Sequence, residues 1–135
     1  MKKVFIDTNA FIALYYRRDQ FNSLATKIHH ELLKENDYVT SNYVIDETIT
    51  GLVMKSEHLE AIQFFENLKK SSFIDVIYIN EILEHEAFNI LKKYSDKNFS
   101  FTDCTSFLIM KQFKIKTAFT NDHHFEQMGF EILIK

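Results

Sequence analysis

Apolar and polar positions fall into blocks along this chain, and the period changes from block to block. Lys3-Val4-Phe5-Ile6 is a short apolar run that stops at Asp7, and amphipathic sequence follows at once in Ala10-Phe11-Ile12-Ala13-Leu14-Tyr15-Tyr16. The run reads as a buried strand and its sequel as a helix. After the polar break Arg17-Arg18-Asp19, residues Phe21, Leu24, Ala25, Ile28 and Leu32 recur at helical spacing to about Glu35. Asn36-Asp37 signals a turn and Tyr38-Val39-Thr40 a short strand. Ser41-Asn42 caps a third helix that carries Val44, Ile45, Thr48, Leu52 and Lys55. Leu59, Ile62, Phe65 and Leu68 mark a fourth helix, with Lys69-Lys70 favourably placed at its C-terminal end.

Ser72 to Ile79 is rich in β-branched residues and too short for an independent helix, so it reads as a strand whose one internal charge is Asp75. Asn80 caps a fifth helix with Leu83, Ala87, Ile90, Leu91 and Tyr94 inward. Beyond the polar loop Ser95 to Phe99, Ser100 opens a sixth helix that contains Cys104, Phe107, Leu108 and Met110 and runs to about Phe113. Lys116 to Thr120 reads as a strand and Asn121 to Met128 as a turn with a short helical piece. Gly129 breaks the chain before a last strand, Phe130 to Ile134. Strands that alternate with helices imply right-handed βαβ units. The expected class is α/β: a three-layer α/β/α sandwich with a mostly parallel central sheet of about five strands, as one domain over residues 1–135.

Composition narrows the functions. Hydrophobic residues make up 46% of the chain, but charge interrupts every apolar run, far short of the ~20 residues of a membrane span. The expectation is a soluble, cytoplasmic protein with no membrane partner. The N-terminal run lacks a small-residue cleavage site and reads as a strand rather than a signal peptide. A single cysteine, Cys104, leaves no internal disulfide and fits a reducing compartment; at a helix start its thiol could be activated, but Cys104-Thr105-Ser106-Phe107 reads as packing. With two glycines and no proline, glycine-rich phosphate loops cannot be built. A net charge of −3 argues against nucleic-acid binding by bulk electrostatics, though not against phosphate binding through cations held on carboxylates.

Carboxylates stand at equivalent places in the alternation: Asp7 after the first strand, Glu47 early in the third helix, Asp103 at the start of the sixth, and Asp122 after the fourth strand. Parallel strands put their carboxyl ends at one edge, where Asp7, Glu47 and Asp122 should converge; Asp103 joins them if its helix begins there. Taken singly, each acid also reads as a helix cap or a complement to a helix dipole. Together they repel one another by several kcal/mol per close pair at an effective dielectric of ~20, a cost that a hard divalent ion removes. The scarcity of cysteine and histidine disfavours zinc, leaving Mg²⁺ or Mn²⁺.

Phe5-Ile6-Asp7-Thr8-Asn9, Asn42-Tyr43-Val44-Ile45-Asp46-Glu47-Thr48, Phe99-Ser100-Phe101-Thr102-Asp103-Cys104 and Phe119-Thr120-Asn121-Asp122-His123-His124-Phe125 occur in this order across nearly the whole chain. This ordered set resembles the PIN-domain nucleases. The resemblance implies that Asp7, Glu47, Asp103 and Asp122 are the family's four acidic positions. These bind one or two Mg²⁺ or Mn²⁺ ions and support hydrolysis of RNA phosphodiester bonds to 5′-phosphate and 3′-hydroxyl ends. It implies too that Asn9 and Thr120 orient the acids or contact substrate phosphate. Adjacent Asp46 and Glu47 admit a one-residue shift, and the family pattern favours Glu47. His123-His124 is no standard metal pair and reads as solvent-facing.

A compact chain of this size is similar to the VapC-type toxins of toxin–antitoxin pairs, which implies a homodimer and a small antitoxin partner. A housekeeping RNA-processing nuclease and a catalytically silent RNA-binding module are the competing readings. Phe11, Tyr15, Tyr16 and Phe21 could offer a partner surface but fit core packing better. Arg17, Arg18, Lys111, Lys114 and Lys116 are the basic candidates for RNA, though each also reads as a solvated surface charge.

Overall fold

A computed structural model describes residues 2–135; Met1, which precedes the strand read from Lys3, lies outside them. The chain runs β1 (Lys2–Ile6), α1 (Thr8–Tyr15), α2 (Asn22–Leu32), β2 (Asn36–Ser41), α3 (Asn42–Met54) and α4 (His58–Lys70). It continues with β3 (Ile74–Ile77), α5 (Glu81–Lys93), α6 (Phe101–Gln112), β4 (Thr117–Phe119), α7 (His123–Gln127) and β5 (Glu131–Ile132). The described strands form one sheet in the order β3-β2-β1-β4-β5, and every pairing is parallel. The sheet is therefore wholly rather than mostly parallel, and the three-layer α/β expectation holds.

The order reverses direction at β1. From there the chain builds outward through β2 and β3, returns across the sheet to β4, and ends at β5. Right-handed crossovers then put α1 to α4 on one face and α5 to α7 on the other. Side chains follow this division. Phe5 points to the ring of Phe125 on α7 (6.3 Å), which stacks edge-on with Phe107 of α6 at 5.0 Å. On the opposite face Phe64 of α4 meets Phe11 of α1 edge-on at 4.8 Å. Phe5, Ile6, Tyr38, Phe64, Phe107, Phe119 and Phe125 are fully buried, so a single core fills both layers. The same packing absorbs the aromatic group considered for a partner: Phe11 is buried and Tyr15, Tyr16 and Phe21 lie half-buried against the core.

The caps follow local chemistry. Ser41 accepts the N–H of Val44 and Asn80 that of Leu83. Ser100 Oγ accepts the Asp103 N–H at 3.0 Å while Asp103 Oδ2 accepts the Ser100 N–H at 3.1 Å, a reciprocal capping box. Ser100→Ala is expected to cost about 1 kcal/mol and lower the melting temperature by roughly 4 °C without reducing any activity of the Asp103 carboxylate, which thermal unfolding and an activity assay together would check.

Strand boundaries differ from the sequence reading. Asn36-Asp37, expected as a turn, opens β2, because Lys2 and Lys3 of β1 pair with them in register. Lys3 then lies 2.9 Å from Asp75 and 3.9 Å from Asp37, so three strands share one cation. β3 and β5 are shorter than predicted; beyond β3, Ile79 N–H is taken by Asn42 Oδ1 at 2.7 Å instead of by a strand.

Candidate active site at the carboxyl edge of the sheet

The switch in strand order lies between β1 and β4, and the crevice outside such a point is the common ligand site of open α/β sheets. β1 delivers Asp7 there. Its backbone N–H continues the ladder to Phe119 O of β4 at 3.2 Å, and the residue is 4% exposed. Asp7 occupies the N-cap position of α1 yet makes no side-chain cap bond. Its Oδ2 instead accepts the Thr120 hydroxyl at 2.9 Å, and Asn9 Nδ2 lies 3.4 Å from the same oxygen. Asn9 Oδ1 in turn accepts the Asn121 N–H at 3.0 Å, tying the loop after β4 to the start of α1. The capping expectation for Asp7 thus gives way to a bond that spans 113 residues of sequence.

The other acids arrive from separate elements. Glu47, in the second turn of α3, accepts a hydrogen bond from the Thr8 hydroxyl. Asp103 sits in the first turn of α6, whose N-terminus lies on this edge because the helix runs back to feed β4. Asp122 caps α7, with Oδ1 accepting the His124 N–H at 2.9 Å. Asp46 and Glu47 are both exposed, but only Glu47 is tied to α1.

Burial pushes the Asp7 carboxyl up to about 7, with the charges of Asp103 and Glu47 adding to it; the Thr8 N–H and the Thr120 hydroxyl oppose the rise. Asp103 is also raised, first by burial and then by Asp122. Each acid feels the next, so the four form a connected cluster. Thr120→Val removes one of the groups that favour the Asp7 anion. Its carboxyl should then titrate still higher in the metal-free protein, as carbon NMR of that side chain would read; an unchanged or lower midpoint would contradict this.

One member of the cluster was read wrongly from sequence. His123 faces solvent and pairs with Glu126 at 2.6 Å, but His124 turns inward, with Nδ1 at 3.4 Å from Asp103 Oδ2 and 3.3 Å from Asp122 Oδ1. Adjacent residues on a helix diverge by about 100°, so the pair could not share one fate. Asp103, Asp122 and His124 offer ligand atoms that all lie within 4.8 Å of one another. Their donor chemistry fits a divalent cation, and the Asp7 carboxyl lies close enough to feel the Asp103 charge.

The basic candidates are elsewhere. Lys111, Lys114 and Lys116 are exposed at the far end of α6 and the start of β4, with Lys111 roughly 12 Å along the helix from Asp103. Arg17 and Arg18 follow the far end of α1, and Arg18 lies 3.8 Å from Glu57. Cys104 is buried and its thiol pushed up to about 11, which removes it as a nucleophile at neutral pH. A groove lined by Asn42, Tyr43, Asp46, Glu47, Thr50, Gly51 and Thr102 adjoins the acids and is open to solvent.

Known proteins resemble this chain in sequence and fold. The chain is 30% identical over 114 residues to a VapC ribonuclease of Archaeoglobus fulgidus, covering 82% of this chain and 72% of that protein. It is 29% identical over 127 residues to the 23S rRNA-specific endonuclease VapC20 of Mycobacterium tuberculosis, covering 94% and 95%. The crystal structure of VapC20, described as a sarcin–ricin loop cleaving toxin, superposes with a TM-score of 0.86 at 28% identity over 94% of this chain and 95% of that one. The profile of the PIN domain matches residues 4–131, nearly the entire sequence, and the chain therefore belongs to the PIN-domain family.

Proposed function

We propose that this protein is a metal-dependent endoribonuclease, the toxin of a toxin–antitoxin pair, and that Asp7, Glu47, Asp103 and Asp122 are its catalytic acids. The observation that carries the reading is the convergence of these four, from four separate elements, at the switch point of a sheet that superposes on an RNA-cleaving toxin. Mg²⁺ or Mn²⁺, as one or two ions, would be held by Asp7 and Asp103, with Asp122 completing the set and Glu47 at its open side. When bound, such an ion acidifies a coordinated water and offsets charge developing on the phosphate.

The chain's own residues do the positioning. Thr120 and Asn9 hold the Asp7 carboxylate in one orientation, and the backbone N–H of Ser100 holds Asp103 Oδ2. Glu47, exposed and anchored by Thr8, is placed to orient the attacking water and take its proton. RNA enters along the groove bounded by Tyr43, Thr50 and Thr102, where backbone and hydroxyl donors rather than lysines meet the phosphates. This fits a chain of net charge −3.

The kinship with VapC20 makes the sarcin–ricin loop of 23S rRNA the first substrate to try. An antitoxin and a second copy would cover exposed apolar side chains, among them Met54, Leu59, Ile62 and Phe65 on α3 and α4 and Ile82 and Phe88 on α5. No helix among the described residues is long and apolar enough to cross a membrane, and the reading places the protein in the cytoplasm. Purified protein incubated with 23S rRNA and with transfer RNA should cleave in Mg²⁺ or Mn²⁺, stop in chelator and fail as Asp103→Asn. Cleavage unaffected by chelator, or no cleavage of any RNA, would overturn the assignment and leave a silent binding module.

A further inference from the structure

His124 Nδ1 is enclosed, has no hydrogen-bond partner, and yet stands 3.3 and 3.4 Å from two carboxylate oxygens. A buried polar atom left in this way costs free energy unless something absent from the protein itself engages it. Both oxygens lie within ion-pair distance, yet neither meets hydrogen-bonding geometry with the ring nitrogen, so the three donor atoms face one common point without being bonded to each other. The separations resemble those of neighbouring ligands around one ion: two bonds of about 2.1 Å at a right angle hold their donor atoms ~3.0 Å apart.

The surroundings keep the ring there. Phe99 packs edge-on against it with centroids 5.3 Å apart, and the His124 backbone N–H donates to the same Asp122 Oδ1 that faces Nδ1. The sequence Asp122-His123-His124 thus presents an oxygen and a nitrogen from one turn, opposite an oxygen from α6.

We propose that His124 Nδ1 is a ligand of the divalent ion together with Asp103 and Asp122, and that this nitrogen makes the site prefer Mn²⁺ or a similar first-row transition ion to Mg²⁺. The inference rests on the ion site proposed above and refines it. Imidazole nitrogen binds transition ions well, whereas Mg²⁺ is served by carboxylate, carbonyl and water oxygens. His124 acts here by holding the ion; the reacting phosphate need not touch it.

Spin-echo EPR of Mn²⁺ bound to the wild-type protein tests this without any turnover. The expected spectrum carries ¹⁴N modulation that converts to the ¹⁵N pattern when the protein is grown on ¹⁵N-histidine. In His124→Ala the modulation should vanish, and titration calorimetry should show at least about tenfold weaker Mn²⁺ binding with a smaller change for Mg²⁺. His124→Gln serves the same purpose if the alanine variant fails to fold. Saturable Mn²⁺ binding that weakens in Asp103→Asn but shows no nitrogen modulation, or modulation that persists in His124→Ala, overturns this inference while the acidic site stands. Absence of saturable Mn²⁺ binding in the wild type overturns both.

Discussion

Asp7→Asn is expected to reduce RNA cleavage at least about 10³-fold while making the metal-free protein more stable at neutral pH. The first effect follows from the loss of a ligand to the ion, whose stabilisation of the transition state is worth several kcal/mol. The second follows from linkage. The Asp7 carboxyl is raised from an ordinary 3.8 to about 7, chiefly by burial. Between those values the folded chain holds a proton that the unfolded chain has released. Stability therefore falls as pH rises from about 4 to about 7, and the full penalty, at most about 4 kcal/mol, is present above that window. Asparagine has the same shape, carries no charge and still accepts the Thr120 hydroxyl. Urea unfolding in chelator should show wild type weaker at pH 8 than at pH 5 and the variant with a flatter profile; a variant less stable than wild type at pH 8 would contradict the account.

Phe125→Ala should cost about 3–5 kcal/mol, a large part of the 5–15 kcal/mol that holds a typical domain together. The ring is fully buried and bridges β1 to α6 through Phe5 and Phe107. α7 has five residues, too few to form alone, and Phe125 is its buried anchor. Losing that anchor frees Asp122 and His124, which lie just before it in sequence, so activity should fall further than partial unfolding alone explains. Denaturant midpoints for Phe125→Ala and the milder Phe125→Leu would measure this; a loss below about 1 kcal/mol for the alanine variant would show that α7 is held by something else.

The starts of α3, α5 and α6 were legible because each is declared locally. Ser41, Asn80 and Ser100 bond to backbone within three residues, a signal that needs no tertiary knowledge. The start of β2 was not legible, since Asn36 and Asp37 become strand only through pairing with β1, more than thirty residues earlier. Asp7 shows the same contrast. Local sequence offers it as a helix cap, while its actual partner, Thr120, is supplied by the topology of the sheet.

The meeting of the four acids at one edge followed from the right-handed βαβ pattern, with Asp103 depending on the direction of α6. The inward turn of His124 did not follow from anything local. Two adjacent histidines on a five-residue helix look alike in sequence, and which one faces the acids is decided by how Phe125 seats the helix on the core.

Diffraction from crystals grown with Mn²⁺, recorded at a wavelength where manganese scatters anomalously, tests the central claim most directly. An anomalous peak is expected in the crevice between β1 and β4, roughly 2.1–2.3 Å from carboxylate oxygens of Asp7 and Asp103. An empty crevice, or manganese bound only at surface acids away from Asp7, would contradict it.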